Sequence, residues 1–134
     1  SMRAGILHLM LDLKKKWNVS FLYITHDLST AHYISDRIAI MYQGSIVEMG
    51  PIDDVIENPL HPYSKLLIES VPIPDPGQRW KERMELPSRE FQSQTLSGCK
   101  FYDRCKFRTE VCKTERPVLK QNESRLVACH LYRD

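Results

Sequence analysis

The sequence predicts an α/β chain that runs helix, strand, helix, hairpin, helices, and then passes into a small irregular cysteine-rich extension. Three observations carry this. The first segment has apolar residues at three- and four-residue steps, the hallmark of a helix with one covered face. β-Branched and aromatic runs follow, two of them joined by Gln43-Gly44. Beyond Val71 the chain becomes proline-rich, then polar, and holds all four cysteines.

In "RAGILHLMLDLKKKW", Ile6, Leu9, Met10, Leu13 and Trp17 form the expected buried face, with His8, Asp12, Lys15 and Lys16 opposite. Lys14, Lys15 and Lys16 complement the dipole at the helix end, and Asn18 is the expected stop. "VSFLYIT" carries no charge and reads as a strand, Ser20–Thr25, covered on both faces. "DLSTAHYIS" places Leu28, Ala31 and Ile34 on one side of a short helix. Arg37–Tyr42 and Ser45–Met49 read as two strands turning at Gln43-Gly44. Pro51 and Pro62 stand where first helical residues are expected, opening "PIDDVIEN" and "PYSKLLIES". "VPIPDPG" is linker or loop chemistry, and the poorly aliphatic region after it needs a staple besides its core. Trp17 and Trp80 are expected to pack, and His8 and His32 to be solvated.

Composition narrows the function classes. With 134 residues, 42% hydrophobic and 27% charged, the chain suits one domain or two small ones in water. No apolar run is long enough to cross a bilayer, and Arg3 is too little charge for a secretory signal. Ser1-Met2 reads as residual cloning sequence ahead of a start codon or an internal boundary. A net charge of +2 gives no case for nucleic acid.

Two features carry chemistry. "FLYITHDLS" sets His26 where an apolar strand ends, a place that either contacts a ligand or hydrogen-bonds the following turn. Asp27 is expected to cap the next helix. Cys99, Cys105, Cys112 and Cys129, separated by five, six and sixteen residues, suggest two disulfides, a structural zinc or an iron–sulfur cluster. Metal or cluster ligation is favoured because no signal peptide supports an oxidising compartment, although the gaps fit neither the usual zinc pairs nor the bacterial ferredoxin run. His130, beside Cys129, points away from it in an extended chain and is expected at the surface or behind the ligands.

These residues carry a resemblance. "ITHDLSTAHYISDRIAIMYQGSIVEMG" is similar to the end of the ATP-binding subunit of an ABC transporter, where a strand ends in Thr-His-Asp. "ENPLHPYSKLLIESVP", with His61-Pro62-Tyr63, and "GCKFYDRCKFRTEVCKTERPVL…VACH" resemble the segments that follow in oligopeptide and dipeptide importers, cysteine-bearing extension included. The resemblance implies that residues 1–57 are the C-terminal part of an ABC nucleotide-binding domain and 58–134 the importer extension. His26 would be the switch histidine that contacts the γ-phosphate of ATP·Mg. The four cysteines would hold a four-iron four-sulfur cluster, or alternatively zinc. The implied partners are ATP, a second ATPase subunit and membrane permease subunits, at the inner face of the cell membrane in the cytoplasm.

The sequence also departs from that family. None of Gly5, Gly44, Gly50, Gly77 and Gly98 opens a G-x-x-x-x-G-K-[ST] loop, and there is no Leu-Ser-Gly-Gly-Gln signature or apolar strand ending in Asp-Glu. The chain by itself is therefore expected to be inactive toward ATP, starting after the catalytic base. Its uncovered strand is expected to drive self-association. A stand-alone metal- or iron–sulfur-binding interaction module is the alternative expectation.

Overall fold

The structure, a computed structural model, describes residues 2–71 and 97–132. The proline-rich linker beyond Val71, Trp80 and the start of "TLSGCK" lie outside the described residues.

Helix α1 (Met2–Trp17) ends in Lys14, Lys15 and Lys16, and Asn18 takes a left-handed φ of 52°, a common way for a helix to stop. Lys14 forms an ion pair with Asp36. The expected buried face of α1 is not covered: Leu7 is its one buried residue, while Ile6, Leu9 and Trp17 are 55%, 56% and 67% exposed. The expected strand Ser20–Thr25 is absent as well. Residues 18–25 have no regular structure, and Leu22 and Ile24 are exposed. A strand exists only through ladder partners, and no described segment pairs with this one. Helix α2 (Leu28–Ile34) buries Ala31 and Ile34 as its spacing predicts.

Strands β1 (Arg37–Tyr42) and β2 (Ser45–Pro51) pair antiparallel about Gln43-Gly44. Both turn residues have positive φ, 45° and 77°, the geometry whose twist matches a two-residue hairpin. Between Ile40 and Met41 the register shifts, leaving Val47 as an extra residue on β2. Such a bulge re-aims side chains. Here it buries Val47 and Glu48 in succession and leaves the Val47 carbonyl to accept the amide of Ala128 at 2.8 Å.

Pro51 ends β2 and caps helix α3 (Ile52–Glu57), rather than opening it. Pro62 does occupy the first turn of α4 (Pro62–Glu69). The region expected to be irregular holds α5 (Glu110–Thr114) and a second hairpin, β3 (Lys120–Asn122) and β4 (Arg125–Val127). These strands complete one four-stranded antiparallel sheet in the order β1-β2-β4-β3. Glu48 pairs with Val127 and Met49 with Leu126, so hairpin and extension share a ladder.

The core joins the same parts. Ile40, Tyr42, Val47, Val55 and Phe101 are buried together, with Tyr63, Leu66 and Leu67 packed against them. Phe101 meets Tyr42 edge-on at 5.2 Å and Tyr63 at 5.6 Å, within the range where aromatic pairs attract.

An ion pair crosses this junction. Glu48 is wholly buried and Arg125 is 5% exposed. The Glu48 carboxylate accepts the amides of Leu60 at 3.1 and 3.2 Å and of His61 at 2.9 Å, next to the positive end of α4. Arg125 Nη1 donates to Glu48 at 3.3 Å and to the carbonyls of Asp54 and Asn58, where α3 ends. Gly50 permits the approach, because a Cβ there would stand 2.5 Å from Arg125 Cβ.

Removing one member of a buried, hydrogen-bonded pair strands the other, at a cost of about 3–5 kcal/mol. Glu48→Ala is expected to lose stability on that scale in urea unfolding. Gly50→Ala is expected to lose about 1–3 kcal/mol by prising β4 from β2, with faster hydrogen exchange at the Ala128 amide.

Candidate functional site

The expected site residues fall in two places. His26 lies in the turn before α2 and is exposed. Its neighbours are fixed: Thr25 Oγ1 accepts the Asp27 amide at 3.0 Å, and Asp27 Oδ1 accepts the amides of Ser29 and Thr30 at 3.0 and 3.4 Å. Asp27 therefore caps α2 as its chemistry predicts, and Arg3 holds its other oxygen at 3.2 Å. The backbone on both sides of His26 is thus pinned while its ring faces solvent.

The four cysteines do come together. Cys99, Cys105, Cys112 and Cys129 all line one cavity of about 20 Å3, room for a single water. All four are half-buried free thiols. Among the described residues no three His, Cys, Asp or Glu side chains are set closely enough to hold a metal ion. The sulfurs share a cavity without closing on a common centre.

The local backbone creates this convergence. Gly98 is buried, and a Cβ on it would lie 2.3 Å from the Lys113 carbonyl oxygen and 2.7 Å from that of Cys112. Only glycine lets the two segments approach so closely, and the Cys99 amide then donates to the Cys112 carbonyl at 2.8 Å. Phe101, two residues after Cys99, plugs the loop into the core. Lys100 clamps it to the first hairpin, donating to Gln43 O at 2.7 Å and Ser45 Oγ at 2.8 Å.

The electrostatics of the sulfurs follow one pattern. The sulfurs of Cys99, Cys105 and Cys129 each receive a backbone hydrogen bond from the residue two positions on, Phe101, Phe107 and Leu131. Cys112 Sγ accepts the Thr109 amide at 3.5 Å. Such N–H groups favour thiolates. Burial is the larger effect, however, raising the Cys99 and Cys105 thiols and pushing Cys129 up to about 11; mutual repulsion adds to it. The donors are arranged for anionic sulfur, and a cation is what would offset the desolvation. In donor chemistry the set fits a thiophilic metal.

Two histidines stand at this cavity. His130 is not aimed into it as a ligand: its Nε2 donates to the Glu115 carbonyl at 2.8 Å, tying the chain end to the segment after α5. His61 fixes the start of α4 by accepting the Tyr63 amide on Nδ1 at 3.0 Å. No local signal shows that His61 also walls the cysteine cavity, 2% exposed, with its ring 5.8 Å from Phe101. His8 and His32, expected to be solvated, are exposed but bonded, His8 to the Tyr33 hydroxyl and His32 to Asp53.

Burial pushes the His61 imidazole from about 6.5 down to about 4. A folded-state value below the unfolded one stabilises above pH 6.5 and is lost as pH falls toward 4. The shift corresponds to at most about 3 kcal/mol. The urea midpoint is expected to fall between pH 6.5 and 4, and His61→Asn to flatten that part of the decline.

Comparison with known proteins agrees with the site's sequence setting. The family described as "Oligopeptide/dipeptide transporter, C-terminal region" matches residues 47–112, which run from β2 through His61 to three of the four cysteines. The chain is 39% identical over 131 residues to the oligopeptide transport ATP-binding protein OppF of Salmonella typhimurium, covering 96% of this chain and 39% of that protein. It is 42% identical over 137 residues to the putative oligopeptide transport ATP-binding protein YkfD of Bacillus subtilis, covering 100% and 42%. It is 40% identical over 131 residues to the dipeptide transport ATP-binding protein DppF of Escherichia coli, covering 96% and 39%. The chain thus spans about two fifths of the length of these curated relatives. Residues 47–112 thus carry the oligopeptide/dipeptide transporter C-terminal region, which runs through sheet, core and cysteine loop, and nearly the whole chain is similar to ATP-binding proteins of peptide transport.

Proposed function

We propose that this chain serves as the C-terminal part of an ATPase subunit that couples ATP binding and hydrolysis to oligopeptide or dipeptide import. Residues 1–57 carry the switch region and residues 58–134 the metal-binding extension. The observation that carries the first part is His26, an exposed imidazole between two hydrogen-bonded neighbours at the start of a capped helix. An imidazole on a backbone held in that way can donate to a phosphate oxygen and orient an attacking water. The ATP-binding relatives support this role, and since the sequence holds no phosphate loop, the rest of a nucleotide site would have to come from other protein. The uncovered apolar residues Phe21, Leu22 and Ile24 would pack in that larger domain, or self-associate without it.

In the extension, Cys99, Cys105, Cys112 and Cys129 would hold an iron–sulfur cluster, or a zinc ion as the simpler staple. Four sulfurs around one cavity, each with its own N–H donor, support this. Bound metal would supply the positive charge that the buried thiolates lack and cross-link α5, the loop before it and β4. The partners are a second ATPase subunit and membrane permease subunits at the cytoplasmic face. No described helix is long and apolar enough to cross a membrane, and +2 net charge makes no case for nucleic acid. A stand-alone metal-binding module is favoured only by the missing phosphate loop.

The histidine test belongs in a full-length subunit. His26→Ala is expected to lower ATP hydrolysis by about 10²–10³-fold with nucleotide binding retained. The 134-residue chain alone is expected to show no turnover. Unchanged hydrolysis in the full-length variant would remove His26 from the switch role. For the extension, protein purified anaerobically is expected to contain iron with broad visible sulfide-to-iron absorption, or one zinc per chain. Four freely titrating thiols and no metal would contradict the assignment.

A further inference from the structure

Helices α1 and α2 run side by side in the same direction, fastened by three polar contacts in register. Arg3 pairs with Asp27 at 3.2 Å, His8 shares a hydrogen bond with the Tyr33 hydroxyl at 3.2 Å, and Lys14 pairs with Asp36. The last two sit away from His26, while the first fastens the residue directly after it. Asp27 Oδ1 is spent on the Ser29 and Thr30 amides, and Arg3 takes the other oxygen, Oδ2. Both carboxylate oxygens are therefore held. Hydrogen bonds from Thr30, Thr25 and Arg3 also lower the Tyr23 phenol, whose oxygen meets Thr30 Oγ1 at 3.4 Å. One guanidinium thus touches the chain on both sides of His26.

This contact is poorly placed to stabilise the fold. The Arg3 and Asp27 side chains are 62% and 32% exposed, and an ion pair so close to water contributes little. What it fixes is direction. Helix α2 has only seven residues, too few to hold a rigid first turn by itself. Without Arg3, Asp27 would still cap α2, but the capped turn would be free to swing against α1. We propose that Arg3 is a positioning residue for His26, locking through Asp27 the direction in which the turn presents the imidazole. The proposal rests on the reading of His26 as the switch histidine. A misplacement of about 1 Å at a reacting group can lower a rate about 100-fold, even when the change lies away from the chemistry.

The test is ATP turnover and nucleotide affinity in the full-length subunit. Arg3→Met is expected to lower kcat about 10–100-fold, with nucleotide affinity and the urea midpoint unchanged. Arg3→Lys, which keeps a donor for Oδ2, is expected to recover part of the loss. In a His26→Ala background Arg3→Met is expected to cost nothing further, because its effect passes through the imidazole. Lys14→Met, which opens the contact remote from His26, is expected to leave turnover unchanged. Normal turnover in Arg3→Met beside a defective His26→Ala would overturn the role of Arg3 and leave the switch reading intact. Normal turnover in His26→Ala would overturn both. Equal losses in Arg3→Met and Lys14→Met, or a further loss when Arg3→Met joins His26→Ala, would make Arg3 a general helix contact and overturn the proposal. If Arg3→Met does not fold, Asp27→Asn decides. That variant keeps the Oδ1 cap but loses the ion pair, so the same fall in turnover is expected, and unchanged turnover would overturn the proposal.

Discussion

One buried charge pair organises this chain. Glu48 and Arg125 lie in neighbouring strands yet 77 positions apart in sequence, and both are out of water. Desolvating two charges is costly, and the pair alone would be poor evidence of stability. The arrangement is favourable because the remaining lone pairs and protons find partners. The carboxylate takes the Leu60 and His61 amides where α4 starts, and the guanidinium takes the Asp54 and Asn58 carbonyls where α3 ends. Two helix termini are thereby satisfied by one pair, in the sense their dipoles require. Among the described residues Arg125 Nε is left buried without a partner, which is a residual cost.

The cysteine cavity depends on that arrangement. Phe101, which anchors the cysteine loop, packs on Tyr42 and Tyr63, on either side of the Glu48 junction. Cys129 follows directly on Ala128, whose amide is bound by the β2 bulge. Tyr132 closes the far side by donating to the Leu60 carbonyl at 3.0 Å. A metal bound by the four sulfurs would therefore add to a platform that the sheet has already positioned. By contrast, α1 and residues 18–25 touch this platform little, and their large apolar side chains face solvent. His26 belongs to that second region, so the two proposed chemistries, one at phosphate and one at metal, would rest on supports of very different firmness.

Much of this was legible in the sequence. The first hairpin, its Gln43-Gly44 turn, the Asp27 cap, the buried face of α2 and the start of α4 all follow from local rules. The four cysteines, close in a region poor in aliphatic side chains, also line one cavity. What the sequence hid was long-range. Ser20–Thr25 has strand composition, but composition cannot supply a ladder partner. The β3–β4 hairpin is only three residues per strand, too short for a period of two to stand out. Glu48 stands out as a lone charge between Val47 and Met49, yet nothing nearby names Arg125. The role of Gly98 depends on a carbonyl fifteen residues away, and that of His61 on which cavity its ring closes.

Native-state hydrogen exchange tests the central claim most directly. If the Glu48–Arg125 pair unites hairpin and extension, the amides of Leu60, His61, Cys99 and Ala128 should open with one shared free energy, equal to that of the β1–β2 ladder. Exchange at Cys99 and Ala128 that is much easier than at β1, with Leu60 and His61 still protected, would show that the extension folds and unfolds on its own. That result would contradict the account.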